Sequence, residues 1–493
     1  VVVDLGAGTS SGSHGADTLV GIEGVFGSDH ADTLAGGDGA QALRGGAGND
    51  LVDGGTGNDT LWGDQGTDTV VGGDGADWLI GADGNDSIVG GLGHDTASYA
   101  DATASVVVDL GAGTSSGSHG DDTLVGIELV LGSGFADTLT GGNAADRLIG
   151  ENGTDSLAGG NDNDSLDGGN GNDSLDGGDG ADTLLGGNGD DLIDGGSGAD
   201  TASYLGATGG VLVDLGASTS SGSHGADTLV GIEGVAGSGF ADTLTGGNAA
   251  DGLFGDAGSD SLAGGNGADS LWGGSGNDSM SGGDGADTMR GDNDADSLDG
   301  GNGADSLVGD GGADTLAGGD GADWLLGWSG DDLIYGGTGN DALTGNDGSD
   351  TLAGGDGADR LFGGNGDDLI DGGSGDDTAS YVGAAGGVLV DLGAGTSSGG
   401  GYGADTLVGI EGATGALFAD TLTGGNAADT LFGDGGNDSL LGGEGADRID
   451  GGAGTDLASY AGAAGGVVVD LVAGRATGGA GADTLVSIEG VIG

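Results

Sequence analysis

Aspartate recurs every nine residues along most of this chain, and no other feature limits its possible folds so tightly. The first run is Asp32, Asp50, Asp59, Asp68, Asp77, Asp86 and Asp95, with Gln41 standing where one more Asp belongs. The second is Asp137, Asp146, Asp155, Asp164, Asp173, Asp182, Asp191 and Asp200. The third and longest comprises Asp242, Asp251, Asp260, Asp269, Asp278, Asp287, Asp296, Asp305, Asp314, Asp323, Asp332, Asp341, Asp350, Asp359, Asp368 and Asp377. The fourth is Asp420, Asp429, Asp438, Asp447 and Asp456. Of these 37 units, 36 keep the Asp. Each has a Gly five residues before that position, and nearly all have an aliphatic residue or Met two residues after it, as in Leu61, Met280 and Leu440. A strict short period means one structural unit copied many times, so the chain must stack like units rather than gather around a single core.

The unit reads G-G-x-G-x-D-x-U-x, as in Gly54-Gly55-Thr56-Gly57-Asn58-Asp59-Thr60-Leu61-Trp62. The Gly-rich six residues suit a tight turn that needs positive φ and close approach of carbonyls. The remaining three form a short strand with U facing inward. One unit is therefore a half-turn, and eighteen residues complete a coil. Equivalent residues of adjacent coils then lie about 4.8 Å apart, the usual inter-strand spacing. The expected fold is all-β: a right-handed parallel β-roll, or β-solenoid, with two short strands per 18-residue coil.

This pattern resembles the repeats-in-toxin (RTX) family, the hemolysin-type calcium-binding nonapeptide repeat, and the resemblance covers about two-thirds of the chain. It implies that calcium lies between successive turns, held by the Asp carboxylates and by carbonyls of the Gly-rich loops. That role transfers to the 36 matching Asp residues, at about one ion per repeat. Asp146, Asp251 and Asp429 are expected to bind more weakly, because Ala144, Ala249 and Ala427 replace the Gly at the fourth loop position, and Gln41 supplies no carboxylate. Asp162 and Asp294 at that same loop position still tolerate positive φ.

Electrostatics reach the same cation independently. The chain carries 82 acidic and 6 basic residues, for a formal charge of −76. Carboxylates stacked one per coil repel one another by several kcal/mol per pair at an intermediate dielectric, so the stack demands cations. Hard oxygen ligands without His or Cys in the loop favour calcium over zinc or copper, and magnesium prefers to keep its water. About 30 such ions would bring the charge to about −16. The same charge excludes nucleic acid as a partner, and no polybasic patch exists for an anionic membrane. No apolar run approaches the roughly 20 residues of a membrane span. Without Cys there is no disulfide or zinc-thiolate site.

The register of nine lapses in interludes. The expected organisation is a partial interlude at 1–31, repeats at 32–96, an interlude at 97–136, repeats at 137–201, an interlude at 202–241, repeats at 242–378, an interlude at 379–419, repeats at 420–457 and a partial interlude at 458–493. Each interlude shows A-S-Y, a Val-rich strand ending in Asp-Leu, a Gly/Ser turn, and D-T-L-V-x-I-E or a close variant. The reading is three half-coils with longer loops, so that the solenoid continues as wider coils. Ala97, Ala202, Ala379 and Ala458 replace the inward aliphatic and make room for Tyr99, Tyr204, Tyr381 and Tyr460. The rod would be on the order of 110 Å long. Both termini fall inside interludes, which reads as a portion of something longer.

Other residues are weaker signals. His14, His119 and His224 share one S-G-S-H-G turn and are expected in solvent, with an auxiliary metal or proton-sensing role as the alternative. Glu23, Glu128, Glu233, Glu411 and Glu489 recur in the I-E step, either completing a calcium site or facing solvent. Aromatics such as Trp62, Phe254 and Trp272 face outward, the dense stretch with Trp324, Trp328 and Tyr335 suggests a lateral contact, and Arg44, Arg147, Arg290, Arg360 and Arg448 could pair with a neighbouring molecule. No nucleophile, base and oxyanion site come together, so the chain is not expected to be an enzyme.

The resemblance implies secretion by a type I system, unfolded, from a Gram-negative cell, with folding outside as calcium binds. The leading expectation is a structural segment of a secreted cell-surface or extracellular-matrix protein: an adhesin stalk, surface-layer or filament component. Partners would be calcium and copies of the chain through head-to-tail or lateral contacts. The alternative is a calcium-triggered secretion and folding module of a larger secreted enzyme or toxin.

Overall fold

A computed structural model describes all 493 residues. The protein has no helix, hence none long and apolar enough to cross a membrane. Its strands form two compact units, Val1–Gly239 and Phe240–Gly493. Each unit is a β-solenoid of parallel stacked sheets, as the period of nine requires.

In the unit Val1–Gly239, the strand Leu51–Thr56 pairs in parallel with Thr69–Asp74, matching Val52 to Val70 and Gly55 to Gly73. The alternate half-coil, Thr60–Gln65, pairs with Trp78–Asp83 on the opposite sheet and matches Leu61 to Leu79. In the unit Phe240–Gly493 the same register sets Leu262 beside Met280 on one sheet and Leu271 beside Met289 on the other. Partners are eighteen residues apart, so every motif position stacks on its own copy.

Each repeat strand sends one aliphatic residue or Met into the core. Leu61, Leu79, Leu271 and Leu325 are fully buried between the two sheets, and each such burial stabilises by about 1.5–3 kcal/mol. Most repeat strands run six residues, as in Thr60–Gln65, rather than the expected three, which holds for strands such as Thr138–Thr140, Arg147–Ile149, Thr243–Thr245 and Thr421–Thr423. The first three loop residues keep the ladder register, with Asp64 opposite Ala82 and Gln65 opposite Asp83, so the chain bends only after them.

The outer surface differs between blocks. Phe254 and Trp272, one coil apart, stack with ring centroids 4.7 Å apart. Three of the arginines bond within the chain: Arg44 to Asp64 at 2.6 Å, Arg290 to Asp292 at 2.8 Å and Arg448 to Asp450 at 2.9 Å.

The interludes depart from a purely parallel coil. Val106–Asp109, Thr114–Gly117 and Gly120–Val125 form an antiparallel meander. Its last strand joins Ser87–Leu92 in parallel, and its first joins Thr138–Thr140. On the opposite sheet, Thr96–Ser98 passes directly to Leu129–Leu131 and then to Arg147–Ile149. One sheet thus holds three strands where the other holds one. The segment expected as a Gly/Ser turn contains a returning strand, because the Val-rich strand and Gly120–Val125 each need a hydrogen-bonded neighbour on the side they turn to each other. Val388–Asp391 and Thr396–Gly399 repeat the antiparallel pair in the other unit. Ala97 and Ala202 are fully buried, and Tyr99 and Tyr204 are buried beside them.

Candidate metal centre

The ladder is held by a backbone bond to each carboxylate. The N–H of Asp59 donates to Oδ1 of Asp77 at 2.8 Å, and the N–H of Asp77 to Oδ1 of Asp95 at 2.9 Å. In the second unit Asp269 donates to Asp287 at 2.8 Å and Asp287 to Asp305 at 2.9 Å. Each carboxylate therefore spends one oxygen on the coil before it.

Its other oxygen has no partner. Oδ2 is buried and unbonded in six residues from Asp50 to Asp95, six from Asp155 to Asp200, fourteen from Asp260 to Asp377, and in Asp438, Asp447 and Asp456. That makes 29 of the 36 ladder carboxylates. Each points back toward the first Gly of its own loop. A Cβ on Gly63 would lie 2.6 Å from Oδ2 of Asp68 and 2.8 Å from the carbonyl oxygen of Gly81 in the next coil. Glycine is required there because those oxygens converge on the space a side chain would take.

Burial without a counter-charge favours the protonated form. It pushes the carboxyl of Asp86 up to about 7; the bond from the Asp68 N–H opposes this, and the charges of Asp122 and Asp68 add to it. Asp260 and Asp332 rise to about 7 and Asp68 to about 6 for the same reasons. At neutral pH these oxygens call for a proton or a cation.

Seven ladder residues differ. In six of them Oδ2 accepts the N–H of the second loop residue: Ser28 to Asp32 and Ser133 to Asp137 at 2.5 Å, Gly142 to Asp146 at 2.7 Å, Gly247 to Asp251 and Gly425 to Asp429 at 2.5 Å, and Ala416 to Asp420 at 2.6 Å. Asp242 is partnered too. Gln41 closes its loop in the same way, its Oε1 accepting the Gly37 N–H at 3.2 Å.

One torsion separates the two states. The second loop residue has positive φ in all 29 open loops, as at Gly55 (98°) and Gly283 (110°), and even where it is Asp64 (74°), Ala82 (65°) or Trp328 (77°). It has none in the closed loops at Ser28, Gly37, Ser133, Gly142, Gly247, Ala416 or Gly425. Positive φ swings that N–H away from Oδ2 and leaves the oxygen exposed to the loop interior. The closed loops at Asp146, Asp251 and Asp429 are those expected to be weak; those at Asp32, Asp137 and Asp420 were expected to match the rest. Their fourth loop residues are His30, Phe135 and Phe418, which resist the left-handed turn that Gly57 (116°) makes.

No three His, Cys, Asp or Glu side chains come close enough to hold a metal among themselves. An ion here must complete its shell with carbonyls such as that of Gly81. An all-oxygen set of carboxylate and backbone carbonyls suits calcium and is poor for zinc or copper.

The profile of the RTX calcium-binding nonapeptide repeat (four copies) matches residues 26–97 and 131–202 in consecutive stretches, 235–379 in overlapping ones, and 423–458. The chain belongs to this family. Its RTX repeats make it a calcium-binding repeat protein over about two-thirds of its length. No curated protein matches the chain significantly.

Outside the RTX repeats, the interludes carry the ladder on with other donors. The N–H of Asp86 donates to Oδ1 of Asp122 at 2.9 Å. Oδ2 of Asp122 accepts from Ser115 Oγ at 2.6 Å and from Tyr99 OH at 3.2 Å, so two hydroxyls stand where the repeats leave an open oxygen. Asp227 repeats this with Ser220 and Tyr204, and Asp405 with Ser397 and Tyr381. In the sequence these residues are the Asp that opens the D-T-L-V-x-I-E step and the Tyr of A-S-Y, and neither motif points to the other.

Four of the I-E glutamates do not simply face solvent: Glu128 Oε2 accepts the Asp95 N–H at 2.9 Å, and Glu233, Glu411 and Glu489 make the same bond, while Glu23 is exposed. His119 and His224, expected in solvent, are buried, with their rings 6.5 Å and 5.8 Å from those of Tyr99 and Tyr204. Their carbonyls accept the N–H of Gly84 and Gly189, which draws the turn down onto the coil. His14 is exposed.

Proposed function

We propose that this chain is a calcium-clamped structural segment of a secreted protein at the cell surface or in the extracellular matrix, such as an adhesin stalk, surface-layer or filament component of a Gram-negative bacterium. The observation that carries this reading is the set of 29 buried carboxylate oxygens without partners. Twenty-nine divalent ions on the open loops would reduce −76 to about −18. Low cytosolic calcium keeps such a polyanion extended for export, and millimolar calcium outside turns binding free energy into folding free energy. The role is non-catalytic, because the abundant carboxylates serve the ladder. Copies of the chain extend the structure through head-to-tail or lateral contacts.

Fractionation of calcium-grown cells with an antibody to the repeats tests this. The reading predicts the chain outside the cell and released by a chelator. A cytoplasmic pool overturns it. A catalytic domain on the same secreted polypeptide would favour instead a calcium-triggered folding module of a larger enzyme or toxin.

A further inference from the structure

The family match ends at residues 97, 202, 379 and 458, yet the last carboxylate of each ladder block is still unpaired. Asp95, Asp200, Asp377 and Asp456 are at most 1% exposed, and Oδ2 of each has no partner. The repeat coil that would cover them is missing, since an interlude begins there.

In the regular ladder, the next coil supplies two groups to each open loop. For Asp68 these are the carbonyl of Gly81, facing the same space as Asp68 Oδ2, and the carboxylate of Asp86, whose Oδ1 accepts the Asp68 N–H at 2.8 Å. The interlude supplies both to Asp95. The carbonyl oxygen of Gly126 enters the space beside Gly90 that Asp95 Oδ2 also faces, and Glu128 Oε2 accepts the Asp95 N–H at 2.9 Å. The arrangement recurs with Gly231 and Glu233 on Asp200 at 3.1 Å, Gly409 and Glu411 on Asp377 at 3.1 Å, and Ser487 and Glu489 on Asp456 at 2.8 Å.

The change from Asp to Glu has a geometric reason. A repeat separates its first Gly from its Asp by five residues, whereas Gly126 and Glu128 are only two apart. The shorter connection sets the acid's backbone elsewhere, and the extra methylene of Glu restores the reach. Left-handed φ at Gly126 (63°), Gly231 (55°), Gly409 (56°) and Ser487 (49°) goes with the shared carbonyl direction.

We propose that each ladder ends in a calcium site completed by the interlude, with Glu128, Glu233, Glu411 and Glu489 as acidic ligands and the carbonyls of Gly126, Gly231, Gly409 and Ser487 beside them. This rests on the reading that the ladder carboxylates hold calcium. Without a cation, Glu128 adds its charge to the burial that already raises the carboxyl of Asp95. A glutamate serving only to cap the Asp95 N–H would not need that charge.

Replacing all four glutamates by Gln keeps an oxygen for the N–H and removes the charge. Equilibrium dialysis of metal-stripped chain against calcium should then show four fewer ions per chain, while Asp305→Asn alone, which lines its own loop and that of Asp287, removes up to two. A full complement in the Gln variant with a loss in Asp305→Asn overturns the proposal. A full complement in both overturns the ladder reading instead. If the Gln variant does not fold in calcium, anomalous diffraction from calcium-grown crystals of the unaltered chain decides: an ion between Asp95 and Glu128 supports the proposal, and none there refutes it.

Discussion

The N–H of Asp287 bonds to Oδ1 of Asp305 at 2.9 Å, while Oδ2 of Asp305, in a residue only 2% exposed, meets no donor. One carboxylate thus divides its oxygens between the backbone and an ion. Asp305→Asn keeps the backbone acceptor and loses the charge. It should remove up to two calcium ions, from its own loop and from that of Asp287, whereas Asp146→Asn, whose Oδ2 is already bonded to the Gly142 N–H, should leave the count unchanged. Calcium dialysis of the two variants checks this; equal losses would refute the division into open and closed loops.

Acid should replace calcium. In the metal-free fold the carboxyls of Asp86, Asp191 and Asp368 are raised to about 7, first by burial, then by neighbouring carboxylates against the backbone bond. A raised folded-state value means that the fold binds protons more tightly than the unfolded chain. Its stabilising contribution is complete below about pH 4 and lost as pH rises through about 7. Circular dichroism of metal-stripped chain should show β structure fading across that window, and calcium affinity rising across it. β content that grows with pH in the absence of calcium would contradict this.

Backbone strain is concentrated at the second loop residue. Trp328 sits at φ 77°, so Trp328→Gly should stabilise the calcium-loaded form by about 1 kcal/mol. Gly283 sits at φ 110° with the Gly265 carbonyl where a Cβ would go, and Gly283→Val should destabilise by about 2 kcal/mol or more. Thermal melting in saturating calcium measures both, and shifts of the same sign would count against the assigned torsions.

The interlude staple should act without metal. Tyr99→Phe removes one of the two hydroxyls on Asp122 Oδ2 and should cost about 1–2 kcal/mol in saturating calcium with no ion lost. A changed calcium count would show that Asp122 is a ligand after all.

The solenoid, its coil length and the inward residues were legible because spacing alone sets which positions stack. Gln41 and the Ala144, Ala249 and Ala427 loops also stood out, since each breaks the motif at a named position. The closed loops at Asp32, Asp137 and Asp420 were not foreseen, because their Asp keeps perfect phase. The signal lay in His30, Phe135 and Phe418 at the fourth loop position, where Gly, or Asp as at Asp162 and Asp294, accepts positive φ. The strand Thr114–Gly117 was hidden by its own composition: Ser and Gly read as a turn, and only its two neighbouring strands make it pair. The pairing of Tyr99 with Asp122 spans 23 residues and lies outside the nine-residue period, so nothing local announces it.

The most direct test is small-angle scattering of the metal-stripped chain at pH 7.5 and low salt, before and after millimolar calcium. The account predicts an expanded coil that becomes a compact, β-rich particle only on calcium addition, and reverts on chelation. A chain already compact and β-rich after exhaustive removal of calcium would contradict it.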